Sequence, residues 1–121
     1  MAASRMNRLA ARARVIKAMA HASRLLILEE LANGERCVAD LTAIVGTDVS
    51  TVSKHLSVLK SVGIVGSQRR GAHVYYSLRV PCVLNFFGCV EAVLQSSAEE
   101  QISYLSPDES RRVPMNPGES R

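Results

Sequence analysis

A chain of 121 residues is short enough for one domain and too short for a two-domain enzyme. With 47% apolar and 21% charged residues, no tryptophan, three tyrosines and two phenylalanines, it calls for a packed and mostly aliphatic core rather than a disordered or fibrous chain. Fifteen Lys and Arg against eleven Asp and Glu leave a net charge of +4, a basic excess that permits a polyanionic partner without demanding one. Three widely spaced cysteines, Cys37, Cys82 and Cys89, fit a reduced cytoplasmic protein better than a disulfide-stapled secreted one. No apolar run approaches the roughly 18 residues of a spanning helix, so no membrane partner is expected. Arg5, Arg8, Arg12, Arg14, Lys17 and Arg24 precede the first acid, Glu29, with no apolar h-region, which argues against a secretory signal. The same basic start suits a transit peptide, but the apolar rhythm runs on into the next segment, so it reads as part of the fold.

In chain order, Leu9, Ala13, Ile16 and Ala20 recur at helical spacing, with Arg5, Arg8 and Arg12 on another face, which predicts an amphipathic helix over about 5–20. Ser23 can cap a second helix through about Ala32. Its Leu25, Leu26, Ile27, Leu28 and Leu31 surround the axis, as in a helix buried on most sides. Asn33-Gly34 ends it.

Val38, Leu41 and Val45 form a short helical stripe that stops at Gly46. Thr47-Asp48 leads into a helix over about 49–62 whose apolar stripe is Val49, Val52, Leu56 and Leu59. From Ile64 to Leu78 the period changes to two, and Arg69-Arg70-Gly71-Ala72 supplies a turn, predicting a two-stranded hairpin with a basic tip beside His73. Pro81 breaks the strand. A last helix follows to about Ser97, its apolar side marked by Leu84, Phe87, Val90 and Leu94. The domain is expected to occupy 1–105, and the proline-rich tail 106–121 is expected to be disordered.

Two helices joined by a short turn, the second with a polar face of Ser50, Thr51, Ser53, Lys54, His55 and Ser57, form what a helix-turn-helix needs: one helix braces, the other enters the major groove. The solvated helical hairpin is the plain alternative, and the basic hairpin that follows tips the reading toward nucleic acid. Ser50, Thr51, Ser53 and His55 are expected to read bases, and Lys54, Lys60, Arg69 and Arg70 to neutralise phosphates of duplex DNA. Nothing places a nucleophile, base and oxyanion donor together, and the glycines form no phosphate loop, so an enzyme is not expected.

The stretch Glu35-Arg36-Cys37-Val38-Ala39-Asp40-Leu41, then Val49-Ser50-Thr51-Val52-Ser53-Lys54-His55-Leu56-Ser57-Val58-Leu59 and Gly63-Ile64-Val65, resembles the ArsR/SmtB family of metalloregulatory repressors, over about 14–91. The resemblance implies a mostly α (α+β) winged helix-turn-helix with about five helices and a two-stranded wing. It also implies a homodimer built on the first and last helices, which represses its own operon and leaves operator DNA when an inducer binds. The family's thiolate motif usually reads Cys-Val-Cys-Asp-Leu; here Cys37 keeps the first cysteine and Ala39 stands at the second.

Members of the family build inducer sites from the last helix, which makes Cys82 and Cys89 the preferred metal ligands, with Cys37 or a second subunit's thiol as a third. On one regular helix their separation, seven residues at about 1.5 Å each, is roughly 10 Å, too far for one ion. The expected resolution is that Cys82 is still extended after Pro81 and that the helix starts near Asn85. Thiolates without histidines select soft ions: As(III), Sb(III), Cd(II) or Pb(II). No histidine follows His73, and His21, His55 and His73 are far apart in sequence, with His21 read as a helix-junction residue. Sensing of oxidants or persulfides through a Cys-Cys link is the alternative.

Overall fold

The computed structural model describes residues 2–103, with side chains described for 2–98; the expected tail, 106–121, lies outside the described residues. After Pro81 the chain divides into two compact units. The first contains α1 (Ala2–Met19), α2 (Ala22–Leu31), β1 (Arg36–Cys37), α3 (Val38–Val45), α4 (Val49–Ser61), β2 (Val65–Arg70) and β3 (His73–Leu78). The second contains α5 (Val83–Ser103).

The core of the first unit is aliphatic, as the composition requires. Ile27 and Leu28 of α2, Leu41 of α3, and Val52, Leu56 and Leu59 of α4 are all fully buried, with Leu31, Ile64 and Val65 at 3% exposure or less. Each fully buried side chain of this size stabilises the fold by about 1.5–3 kcal/mol through removal of apolar surface from water. The three buried positions of α4 recur at four and then three residues, one face of a helix. Val49 was expected on this stripe and is instead 56% exposed, because it opens the first turn of α4, beyond the reach of the core.

α2 is less buried than its all-round apolar character predicts. Ile27, Leu28 and Leu31 are buried, Leu26 is half-buried and Leu25 is 38% exposed. Its N-cap is His21, not Ser23: the ring Nδ1 accepts the Ser23 backbone N–H at 3.2 Å. On α1 only Ala18 and Met19 are buried, and Met6, Leu9 and Ile16 lie in solvent.

The two-stranded hairpin is present as β2 and β3, and a third strand that the sequence did not predict joins it in an antiparallel sheet of order β1-β3-β2. β1 is only Arg36 and Cys37, paired with Tyr76 and Tyr75. Two residues carry no alternation, so this strand exists only through its long-range partner. The turn is also shorter than expected. Arg69 and Arg70 belong to β2, facing Val74 and His73, and Gly71-Ala72 alone close the hairpin. Gly71 adopts φ +63°, which fits the two-residue turn that places glycine first.

Truncating Leu56 to alanine should therefore cost about 3 kcal/mol of unfolding free energy by urea denaturation at fixed protein concentration. Val49→Ala, on the same sequence stripe but in solvent, should change it by no more than about 0.5 kcal/mol.

Candidate nucleic-acid interface

α3 and α4 are joined by three residues, Gly46 to Asp48. Gly46 ends α3 at φ +80°, a conformation that costs other residues steric strain, and its N–H donates to the Thr42 carbonyl at 2.9 Å. Asp48 then starts α4, with Oδ1 accepting the Thr51 N–H at 2.7 Å. Hydrogen bonds from Thr51 hold the Asp48 carboxyl below its ordinary pKa. These two caps fix the sharp change of direction between the helices.

The first turns of α4 then face solvent. Val49, Ser50 and Lys54 are exposed, and Thr51 and Ser53 are half-buried beside them. Sequence reasoning missed Val49 by assigning it to the core. His55, expected among the base-reading side chains, is 7% exposed and lies on the inner side of α4 beside Leu56, so it is corrected out of the groove-facing set. Its Nδ1 accepts from Arg24 Nε at 3.0 Å, which places the proton of the neutral ring on Nε2. Burial, followed by the positive charge of His21, Arg24 and Lys54, holds the imidazole below its ordinary pKa near 6.5. His21 and His55, thirty-four positions apart, bring their rings together with centroids 4.5 Å apart and planes tilted by 54°, while His73 sits on β3 opposite Arg70.

The two wing arginines are not equivalent. Arg69 is exposed, and its side chain has no hydrogen-bond or ion-pair partner among the described residues. Arg70 makes a two-pronged ion pair with Glu35, Nη1 to Oε1 at 2.7 Å and Nη2 to Oε2 at 2.9 Å. It also donates to Gln68 Oε1 at 3.0 Å and lies 5.1 Å from the centre of the Tyr75 ring. The bond from Arg70, and then its charge, keeps the Glu35 carboxyl below its ordinary pKa. Glu35 immediately precedes β1, so this ion pair ties the far end of the hairpin to the segment entering α3. At the other end of the hairpin, Lys60 of α4 donates to Ser67 of β2 at 2.7 Å. Neither Glu35 nor Arg24 was singled out as a functional residue, because each meets its partner more than thirty positions away.

All three cysteines are free, Cys37 half-buried, Cys82 and Cys89 exposed. Cys37 is the last residue of β1 and the N-cap of α3, and its backbone N–H meets Asp40 Oδ2 at 3.4 Å. Cys82 stands immediately before α5, which is already helical at Val83, not at Asn85 as the thiol-pair geometry needed. Asn85 N–H donates to the Cys82 carbonyl at 3.0 Å, so the chain at Cys82 is already committed to the helix entry. Cys82 and Cys89 are thus about two helical turns apart, and no cluster of three His, Cys, Asp or Glu side chains suited to a metal occurs among the described residues.

A family model described as bacterial regulatory protein, arsR family, matches residues 21–67, which run from the cap of α2 into β2. The chain is 41% identical over 81 residues to the HTH-type transcriptional regulator Rv0324 of Mycobacterium tuberculosis, covering 67% of this chain and 36% of that protein. It is 40% identical over 85 residues to a transcriptional repressor SmtB homolog of Synechocystis, covering 70% of this chain and 64% of the relative. The chain therefore spans between about a third and two thirds of the length of these two curated relatives. Among solved structures, the homodimeric winged helix-turn-helix DNA-binding domain of Mb0332 from Mycobacterium bovis, a candidate ArsR-family regulator, superposes with a TM-score of 0.68 at 36% identity, covering 79% of this chain and 89% of that one. Helix-turn-helix, three-stranded wing sheet and sequence likeness across most of a homologous domain agree: this chain belongs to the arsR family of winged helix-turn-helix regulatory proteins.

Proposed function

We propose that this chain is a cytoplasmic, homodimeric transcriptional repressor that grips duplex operator DNA with α4 and the hairpin, and that it is released when its thiolates take up a soft ion, As(III) first among them. The observation that carries the DNA reading is the exposed, hydroxyl-rich start of α4 in the same unit as a hairpin bearing a partner-free Arg69. Ser50, Thr51 and Ser53 suit base edges, and Val49 suits the methyl group of thymine. Lys54, Lys60, Arg69 and Arg70 suit phosphates. Two-fold symmetry then asks for an imperfect palindrome with half-sites about 10 bp apart or a multiple of that. Dimerisation is supported by the apolar residues left in solvent, Met6 and Ile16 on α1, Val93 and Leu94 on α5, and by the homodimeric state of the Mycobacterium bovis relative. Family membership weighs against an enzyme.

The soft-ion reading rests on a donor set of three thiols, Cys37, Cys82 and Cys89. One ion needs thiolates within roughly 4 Å of each other, so Cys82 and Cys89 of a single regular helix do not fit it together. Uptake of As(III), Sb(III), Cd(II) or Pb(II) therefore draws on thiols from more than one segment or subunit. The same spacing favours a second reading, in which exposed Cys82 or Cys89 is oxidised singly, a reaction that needs no converging pair.

A duplex selected from a random pool by the full chain allows the DNA reading to be tested by fluorescence anisotropy. Arg69→Ala should flatten the dependence of log affinity on log salt by about 0.9, the effect of one lost phosphate contact. Arg70→Ala should flatten it less, because Glu35 already neutralises that guanidinium, and Glu35→Gln should steepen it by up to about 0.9. A chain that selects no duplex, and remains monomeric in light scattering at micromolar concentration, overturns the proposal.

Titrating the reduced protein on that duplex with As(III), Sb(III), Cd(II) and Pb(II) tests the inducer. Wild type should lose affinity some five- to 150-fold, as expected of a coupling free energy of about 1–3 kcal/mol. Cys82→Ser and Cys89→Ser should bind DNA and fail to respond, and Cys37→Ser separates a site that includes that thiol from one that does not. Release by peroxide or a persulfide donor, with none by any of the four ions, would move the reading to single-thiol oxidation.

A further inference from the structure

α4 is held to its unit by an apolar face and by polar contacts, Lys60 to Ser67 of β2 at its end and Arg24 to His55 in its middle, and the second of these joints includes a group whose charge changes with pH. Arg24 of α2 donates from Nε to His55 Nδ1 at 3.0 Å and from Nη1 to the Ala18 carbonyl, near the end of α1, at 3.1 Å. One guanidinium thus links three helices. His21, between α1 and α2, caps α2 with its own Nδ1 and lays its ring against that of His55. The groups facing His55 are Arg24 from α2, His21 from the α1–α2 junction and Lys54 from α4 itself; α1 contributes a backbone carbonyl, through Arg24. Arg24 and Lys54 are cations, and no carboxylate is among the three.

An arginine has donors only and keeps its proton in proteins, so the Arg24–His55 bond exists only while Nδ1 is unprotonated. A proton on Nδ1 removes the acceptor and leaves two cations about 3 Å apart in a part-buried site with no counter-charge. Resting on the reading of α4 as the helix that reads DNA, we propose that Arg24 is its positioning residue, acting through the neutral His55 ring, and that acid releases α4 from this joint and weakens selective DNA binding. The sign follows from linkage. His55 resists protonation more in the folded chain than in the unfolded one, so its contribution is complete above about pH 6.5 and is lost as pH falls below that toward the lower folded value.

The test uses the full chain and four variants, Arg24→Gln, Arg24→Lys, His55→Asn and His21→Asn. Anisotropy on the selected duplex and on a random duplex is followed from pH 7.5 to 5.5, beside hydrogen exchange of the α4 amides. At pH 7.5, Arg24→Gln should weaken binding to the selected duplex about tenfold, change binding to the random duplex less than about twofold, and speed exchange in α4. Arg24→Lys, which cannot reach both acceptors in the same geometry, should recover only part of the loss. Wild type should lose selectivity as pH falls below about 6.5. His55→Asn, with an uncharged acceptor near the position of Nδ1, should remove that acid response, while His21→Asn should keep it.

The proposal is overturned if Arg24→Gln shows wild-type selectivity and wild-type α4 exchange, or if His55→Asn loses selectivity in acid as wild type does. Should Arg24→Gln fail to fold, the His55→Asn pH profile decides. Should wild type select no duplex, the DNA reading fails by itself, and the joint stands or falls on whether α4 exchange in wild type quickens with acid and that response disappears in His55→Asn.

Discussion

The rest of the molecule depends on the double duty of α4, which must bury Val52, Leu56 and Leu59 completely while leaving its first turns in solvent. Thirteen residues at 3.6 per turn allow both because the buried stripe starts at Val52, the fourth residue, and leaves Val49 and Ser50 ahead of it in solvent. The rotation of the helix is then set by the core, and the residues offered outward follow from it: Val49, Ser50 and Lys54 project, and His55 turns inward. The outward face of α4 is thus a by-product of burial, and a change in the core of α2, α3 or α4 re-aims it.

An aliphatic core without tryptophan fixes helix rotation but does little for elements at the edge, and there single polar contacts take over. Lys60 to Ser67 joins the end of α4 to β2, Glu35 to Arg70 joins the hairpin to the segment before α3, and Arg24 to His55 joins α4 to the α1–α2 junction. Exposed ion pairs contribute little to stability, so the Glu35–Arg70 pair is better understood as a device of position and charge than as a staple. It removes one of the two wing cations from free electrostatic attraction and leaves Arg69 as the outward one. Cys37 is paired through its backbone with Tyr75, the ring beneath Arg70, so the Cys37 thiol and the wing share one small sheet.

The local elements were legible because each carries its own periodic signal. The stripe Val49, Val52, Leu56, Leu59, of which all but Val49 is buried, the stop at Gly46, the alternation through Tyr75 to Leu78 and the break at Pro81 all predict structure within a turn of where it is found. β1 was not legible, since two residues have no period and acquire strand geometry only from Tyr75 and Tyr76. Nor was the start of α5. The thiol argument asked for an extended segment through Cys82, whereas Val83 and Leu84 have no reason to delay a helix once Pro81 has set the backbone.

By itself the sequence determined the order of the helices and of the two hairpin strands, the family, and the supply of hydroxyl, basic and thiol groups, because these follow from local periodicity and composition. The tertiary structure alone decided which of those groups are available. It buried His55 against Arg24, neutralised Arg70 with Glu35, exposed Val49, and left Cys82 and Cys89 two turns apart. Exposure and pairing arise between residues more than thirty positions apart or from the exact first residue of a helix, and neither leaves a mark in a local window of sequence.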